Sequence, residues 1–244
     1  MTHRPSTLRT LLIAAGLCSS FAAHAANIDN IGALAQPAFR GLSEDLGAAL
    51  SYKPLIPAEP LGITGFDIGL AVTATKLQNR AAFQTAASGA SVGATLPVPT
   101  LRVHKGLPFD IDLGVAYAAV PSSNIKLIGG ELRWAVLSGG VATPAVALRA
   151  SMTSLSGVNQ LKLNTTGLDV SISKGFAMFT PYAGIGTVRV KSDPKGTAGL
   201  TTESFSQGKV FGGLNLNLGL VNLALEGDKT GDATSYGVKF GLRF

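Results

Sequence analysis

The last nine residues alternate strictly: Tyr236, Val238, Phe240, Leu242 and Phe244 interleave with Gly237, Lys239, Gly241 and Arg243. Successive side chains of a strand point to opposite faces, so this stretch carries an aromatic-aliphatic row on one face and a small or charged row on the other. The same two-residue period recurs along most of the chain. A fold for this sequence must cover, on one face of nearly every strand, a continuous apolar surface.

Composition decides how that surface is covered. Apolar residues make up 46% of the chain and charged residues only 14%, against about 25% charged in an ordinary soluble domain. No segment after residue 26 approaches the run of about 18 apolar residues that a transmembrane helix needs. Thirty glycines disfavour a helical protein. High apolar content without long apolar runs suits strands whose outward face meets lipid and whose inward face is polar. The expected fold is all-β: a transmembrane antiparallel up-and-down barrel, which spans lipid without leaving backbone groups unpaired. A soluble sandwich, with the apolar faces packed inward, would show the same alternation.

The start of the chain supports an envelope location. Arg4 and Arg9 precede the apolar run Leu11–Leu17, and Ala23-His24-Ala25 has the small-x-small form of a cleavage site. Residues 1–26 read as a secretory signal peptide. Cys18 follows Leu17, a poor fit to lipid attachment. It is the single cysteine, so no disulfide framework or thiolate site is expected after cleavage. Without Arg4 and Arg9, 18 of the 20 basic residues stand against 14 acidic ones, a modest excess suited to an anionic leaflet or to solvated loops. No basic-aromatic patch or other nucleic-acid motif is present.

Residues 27–45 form a separate N-terminal segment. Ile28, Ile31, Leu34, Ala38 and Leu42 are spaced as on one side of a helix, with Asn27 or Asp29 available as a cap and Pro37 expected to break or end it. It reads as a lumen plug or a periplasmic tail. The barrel is expected over 46–244, beginning with a strand through Leu46, Ala48, Leu50 and Tyr52. Ten further strands follow: near 66–73, 95–104, 109–117, 128–136, 146–152, 168–173, 182–191, 210–218, 223–226 and 236–244. Short turns near 106, 139, 176 and 220 interleave with longer connections at 78–94, 192–204 and 227–234, as in barrels with tight periplasmic turns and longer external loops. Eleven strands is odd where bacterial barrels are even. The expected number is about twelve, within ten to twelve.

The inward row is where chemistry would lie. Asp112, Glu131, Arg133, Arg149, Asp169 and Arg189 are the candidate lumen or selectivity residues, since rings of charge discriminate among permeating ions. Asp67, Asp110, Lys191, Lys209 and Glu226 share that face, and Ile185 with Phe211 would form an apolar patch. Glu131, Arg133 and Arg149 alone would leave a local positive excess. If Asp112 reaches Arg133, the charges balance and the section shuts. The one histidine after the leader, His104, is placed beside a turn, and no zinc or calcium ligand spacing occurs. Asp228 and Asp232 read as solvated loop carboxylates. Neither an enzymatic role nor a cofactor or metal is expected.

Several segments carry a resemblance: Leu46-Gly-Ala-Ala-Leu-Ser-Tyr-Lys-Pro-Leu55, Lys105-Gly-Leu-Pro-Phe-Asp110, Ser173-Lys-Gly-Phe176, Pro181-Tyr-Ala-Gly184 and the C-terminal strand. Together they resemble a group of proteobacterial outer-membrane β-barrel proteins. The resemblance implies the barrel and leaves function open. The row Tyr236, Val238, Phe240, Leu242 and Phe244 also resembles the terminal signal read by the barrel assembly machinery of Gram-negative bacteria. On this reading the chain sits in the bacterial cell outer membrane. Its partners are outer-membrane lipid, lipopolysaccharide, the assembly machinery and periplasmic chaperones. The expected function is a small porin-like channel for small solutes. The alternative is a non-conducting structural or interaction barrel acting through its external loops.

Overall fold

The computed structural model describes residues 26–244, so the expected signal peptide lies almost wholly outside the described residues. Ten strands form one closed antiparallel barrel: β1 (Phe66–Lys76), β2 (Thr95–Leu107), β3 (Ile111–Ala119), β4 (Lys126–Ser138), β5 (Ala145–Ser156), β6 (Leu161–Ser173), β7 (Phe179–Pro194), β8 (Glu203–Leu218), β9 (Val221–Thr230) and β10 (Ala233–Arg243). Each strand pairs with its sequence neighbours, and β10 pairs with β1 to close the ring. Up-and-down closure leaves no sheet edge unpaired. Phe66 and Phe244 lock the seam. The Phe244 N–H donates to the Phe66 carbonyl at 3.0 Å, the Phe66 N–H donates back at 2.6 Å, and their rings stack at 5.6 Å.

The strand number is ten, not about twelve. All ten strands expected after residue 60 are present, and the expected strand at 46–53 is not. Leu46, Ala48, Leu50 and Tyr52 alternate by twos, but Leu42, Leu46 and Leu50 also recur every fourth residue, and the helical period prevails. A helix, α1 (Gln36–Leu50), continues through that region, so the barrel begins at Phe66 rather than at 46. Pro37 does not end α1. It stands in the first turn, where a missing N–H costs nothing. Neither Asn27 nor Asp29 caps it; Ala35 occupies that position without a side-chain bond.

Two ends of the barrel are distinguished by their connections. At the turn end lie residues 108–110, 139–144, 174–178 and 219–220, together with the C-terminus. At the loop end lies the long connection 77–94, which contains a short helix, α2 (Arg80–Ala86), along with 120–125, 157–160, 195–202 and the two-residue turn Gly231–Asp232. The expected loop 227–234 is thus mostly strand, with β9 and β10 joined by a tight turn in which Gly231 adopts φ 58°. Phe109 and Asp110, read from the sequence as strand residues, form a turn at φ 66° and 57°.

α1 enters the barrel from the loop end and descends inside it. At its start, the Thr201 N–H donates to Gln36 Oε1 at 2.9 Å, and Arg40 bridges Glu44 and Glu203 at 2.7 and 3.1 Å. Phe39, Leu42, Leu46 and Leu50 are fully buried against inward residues of the loop-end half of the wall, among them Leu96, Val98, Leu127, Leu155, Leu163 and Val190. Residues 51–65 then run on to the turn end, where β1 begins.

Candidate functional site in the barrel lumen

Strand parity sets which wall side chains meet residues 51–65. In β3, β4, β5 and β6 the inward set includes Asp112, Glu131, Arg133, Arg149 and Asp169, all nearly fully buried. Register then makes neighbours of them, since Asp112 faces Arg133, Arg133 faces Arg149, and Arg149 faces Asp169 across successive strand pairs. Arg133 Nη2 lies 2.6 Å from Asp112 Oδ2, and Arg149 Nε lies 3.1 Å from Asp169 Oδ2. Arg149 Nη1 is 3.5 Å from Glu131, and Lys209 of β8 completes the row 3.3 Å from Asp169. Of the two arrangements open to the sequence, the charge-balanced one is realised: Asp112 reaches Arg133.

Arg133, Lys209 and Asp112 of this row, joined by Arg102 and Glu226, also bond the backbone of the inner segment. Arg133 donates to the carbonyls of Pro57 and Glu59, Arg102 to Pro54 at 3.0 Å, and Lys209 to Tyr52 at 2.9 Å. In the other direction, the Leu55 N–H donates to Glu226 at 2.7 Å, the Leu61 N–H to Asp112 at 3.0 Å, and the Ala58 N–H to Ser173 Oγ at 3.0 Å. Lys53 of the inner segment pairs with Asp228 of β9 at 2.8 Å. Pro54, Pro57 and Pro60 keep this stretch from forming its own helix or pairing as a strand, and so leave its backbone groups free for the wall. A buried carbonyl or N–H must find a partner; here every partner except Ser173 is charged, and bonds to charged groups are about twice as strong as neutral ones.

A second feature sits midway. His104 Nε2 lies 2.9 Å from Glu131 Oε1 and 3.2 Å from the Tyr52 hydroxyl, with the His104 and Glu131 side chains fully buried. β3 separates the two strands that carry His104 and Glu131, and the residue between them is Gly114. A Cβ there would fall 2.5 Å from His104 and 2.7 Å from Glu131, so the glycine is what lets them meet. His104 is therefore an inward strand residue rather than a turn residue.

Near the turn end, Asp67 of β1 accepts from Lys239 at 2.8 Å and from Arg243 at 2.6 Å, both on β10. This cluster bridges the closing seam from inside, while Tyr236, Val238, Phe240, Leu242 and Phe244 face outward and are exposed.

Arg189 is the candidate that the structure moves. Val188 and Val190 point inward against α1, and Arg189 and Lys191 point outward. Ile185 likewise faces out, 61% exposed, and Phe211 alone of that pair is inward. At the loop end the barrel contains an apolar helix and its outside is polar, so the polarity of the wall reverses. Asp110 is exposed in its turn, where it accepts from Ser138, whereas Asp228 is buried in the lumen. Sequence reasoning missed Lys53, Tyr52, Arg102 and Asp228. Arg102 shares the parity of the inward set on β2 and was readable from it. Lys53 and Tyr52 were not readable as plug residues while 46–53 read as a strand.

A cavity of about 20 Å³ remains beside Tyr52, Lys53, Leu55 and Arg102, enough for about one water. Among the described residues no cluster of three metal-ligating side chains occurs.

Fold and site together define a plugged up-and-down barrel whose wall charges grip its own N-terminal segment. No protein-family model matches the sequence, and a search of curated proteins finds no match. Among solved structures it is similar to the N-terminal β-barrel domain of Pseudomonas aeruginosa OprF, at 13% identity over 75% of this chain and 99% of that one, TM-score 0.37. It is also similar to the outer membrane protein OprG of the same organism, at 12% identity over 78% and 99%, TM-score 0.35. A third is Acinetobacter baumannii outer membrane protein Omp33, at 9% identity over 76% and 100%, TM-score 0.34.

Proposed function

We propose that this protein is a closed outer-membrane barrel of a Gram-negative bacterium, non-enzymatic, structural or interacting in role, and working through its loop end. The observation that carries the closed reading is the set of charged wall side chains bonded to the backbone of residues 52–61. Charges that would line a water-filled pore here lie against one another and against the plug backbone. The membrane reading is supported by the outward apolar row, with Leu70, Val115, Leu132, Leu168 and Phe240 each about half exposed or more and no element among the described residues covering them. The longer connections 77–94 and 195–202 support the loop end as the external one. The porin-like role for small solutes would require residues 36–65 to leave the lumen.

Current through the purified protein in planar bilayers tests this. The full chain should be silent, and a variant lacking residues 36–60 should conduct in steps. Steps of equal size from both would overturn the closed reading.

A further inference from the structure

The outward face of the loop-end half differs from the rest of the wall. Its strand positions carry Lys76, Lys126, Lys162, Arg189, Lys191 and Lys229, all exposed. Among the described residues one carboxylate, Asp193, joins them there. Every other strand-borne carboxylate points inward.

Three of these cations gather where β6 and β7 pair. Arg189 lies opposite Thr166, Lys191 opposite Asn164, and Lys162 opposite Asp193. On the other side, Arg189 faces Ser206 and Lys191 faces Ser204 of β8. Residues two apart on a strand stand about 7 Å from each other, and adjacent strands about 4.8 Å. The three positions therefore form one patch about 14 Å long, a length that a phosphorylated head group can span, flanked by hydroxyl and amide donors. Asp193, 3.9 Å from Lys191 and accepting from Thr202 at 2.8 Å, offsets one of the three charges and leaves a positive excess. Like charges so placed repel unless an anion lies between them.

Directly toward the turn end on the same strands, the outward face becomes apolar: Leu168, Val170 and Ile172 on β6, Ile185 on β7, Val210 on β8. β7 and β8 each have 16 residues. At about 3.3 Å per residue and a tilt near 40°, each rises about 40 Å, beyond an apolar band of about 25 Å. Their loop-end thirds stand at the level of lipid head groups.

Resting on the outer-membrane reading above, we propose that the outward face of β6–β8 at the loop end is a docking surface for the phosphorylated glycolipid of the outer leaflet. Lys162, Arg189 and Lys191 take the phosphates, and the apolar row below takes the acyl chains. Arg offers a planar fork and Lys a compact charge, both suited to phosphate oxygens.

Native mass spectrometry of the full chain in phosphatidylcholine nanodiscs, doped with bis-phosphorylated or dephosphorylated lipid A, provides the test. The protein should retain the bis-phosphorylated form. Lys162→Gln/Lys191→Gln should weaken retention by about tenfold or more, since each charged hydrogen bond lost is worth about that factor. Arg189→Gln alone should weaken it by less and serves if the double variant folds poorly. Lys105→Gln/Lys174→Gln, at the turn end, should leave it unchanged. Equal retention of the dephosphorylated lipid, or equal loss in the turn-end variant, would overturn the proposal. Conductance plays no part in this readout, so its failure is separable from failure of the closed-barrel reading.

Discussion

Arg133 and Asp112 face each other across β3 and β4, with Nη2 2.6 Å from Oδ2, and the same guanidinium also donates to the carbonyls of Pro57 and Glu59. One side chain thus ties the wall to itself and to the plug. Arg133→Met should leave Asp112 buried beside unpaired plug carbonyls and cost about 3–5 kcal/mol. Asp112→Leu/Arg133→Met should recover part of that loss, because no lone charge remains. Urea titration of both variants in lipid vesicles reads the difference; a loss below about 1 kcal/mol in the single variant would mean that the pair does not hold the plug.

The meeting of His104 and Glu131 over Gly114 gives a sharper steric test. Gly114→Ala forces either ring or carboxylate to move and should cost about 1–3 kcal/mol. Gly130→Ala, on the neighbouring strand with its nearest neighbour 3.6 Å away, should change stability by about 0.5 kcal/mol or less. Equal effects at the two glycines in the same titration would show that the pair does not depend on the gap.

Phe244 closes the ring through two backbone bonds and a stacked contact with Phe66. Phe244→Ala keeps the backbone bonds and removes the stacking, so the folded barrel should lose about 1 kcal/mol. If the outward row ending at Phe244 is also the assembly signal, the amount of heat-modifiable protein in outer membranes should fall much further than that stability change explains. Unchanged membrane levels would separate the row from any assembly role.

What the sequence made legible was parity. A side-chain period of two, with one face against an apolar surface, fixes direction residue by residue, and so Asp112, Glu131, Arg133, Arg149 and Asp169 were found inward together. Two places defeated that logic for one physical reason. Residues 46–50 alternate because the last turn of α1 holds only apolar or small residues, Leu46-Gly-Ala-Ala-Leu50, and an alternation survives by chance inside such a turn. Around Val188 and Val190 the apolar residues are inward because they face that helix, and the polar Arg189 and Lys191 are outward. Without knowing that the lumen holds an apolar helix, parity there points the wrong way. Lys53 illustrates the remaining gap. Its partner Asp228 lies 175 residues away, and no local pattern joins them.

That reversal of polarity makes the last prediction. Val115, midway along the outward face of β3 and 52% exposed, belongs to the apolar belt. Arg189 lies outward on β7 above that belt, and Val190 inward against Gly47, where an added Cβ would come within 2.5 Å of the valine. Val115→Arg should therefore cost about 2–4 kcal/mol in lipid vesicles, the penalty for a cation near the bilayer midplane. Arg189→Leu should be nearly neutral, within about 0.5 kcal/mol, because its surroundings are solvent and head groups. Val190→Arg should be severe, since it would bury an unpaired charge in the contact between α1 and the wall. In detergent micelles, which have no flat midplane, the Val115→Arg penalty should shrink while that of Val190→Arg persists. If Val190→Arg proved mild and Arg189→Leu costly, the register of β7 would be the one first read from the sequence, and the apolar helix would not be what its inner face packs against.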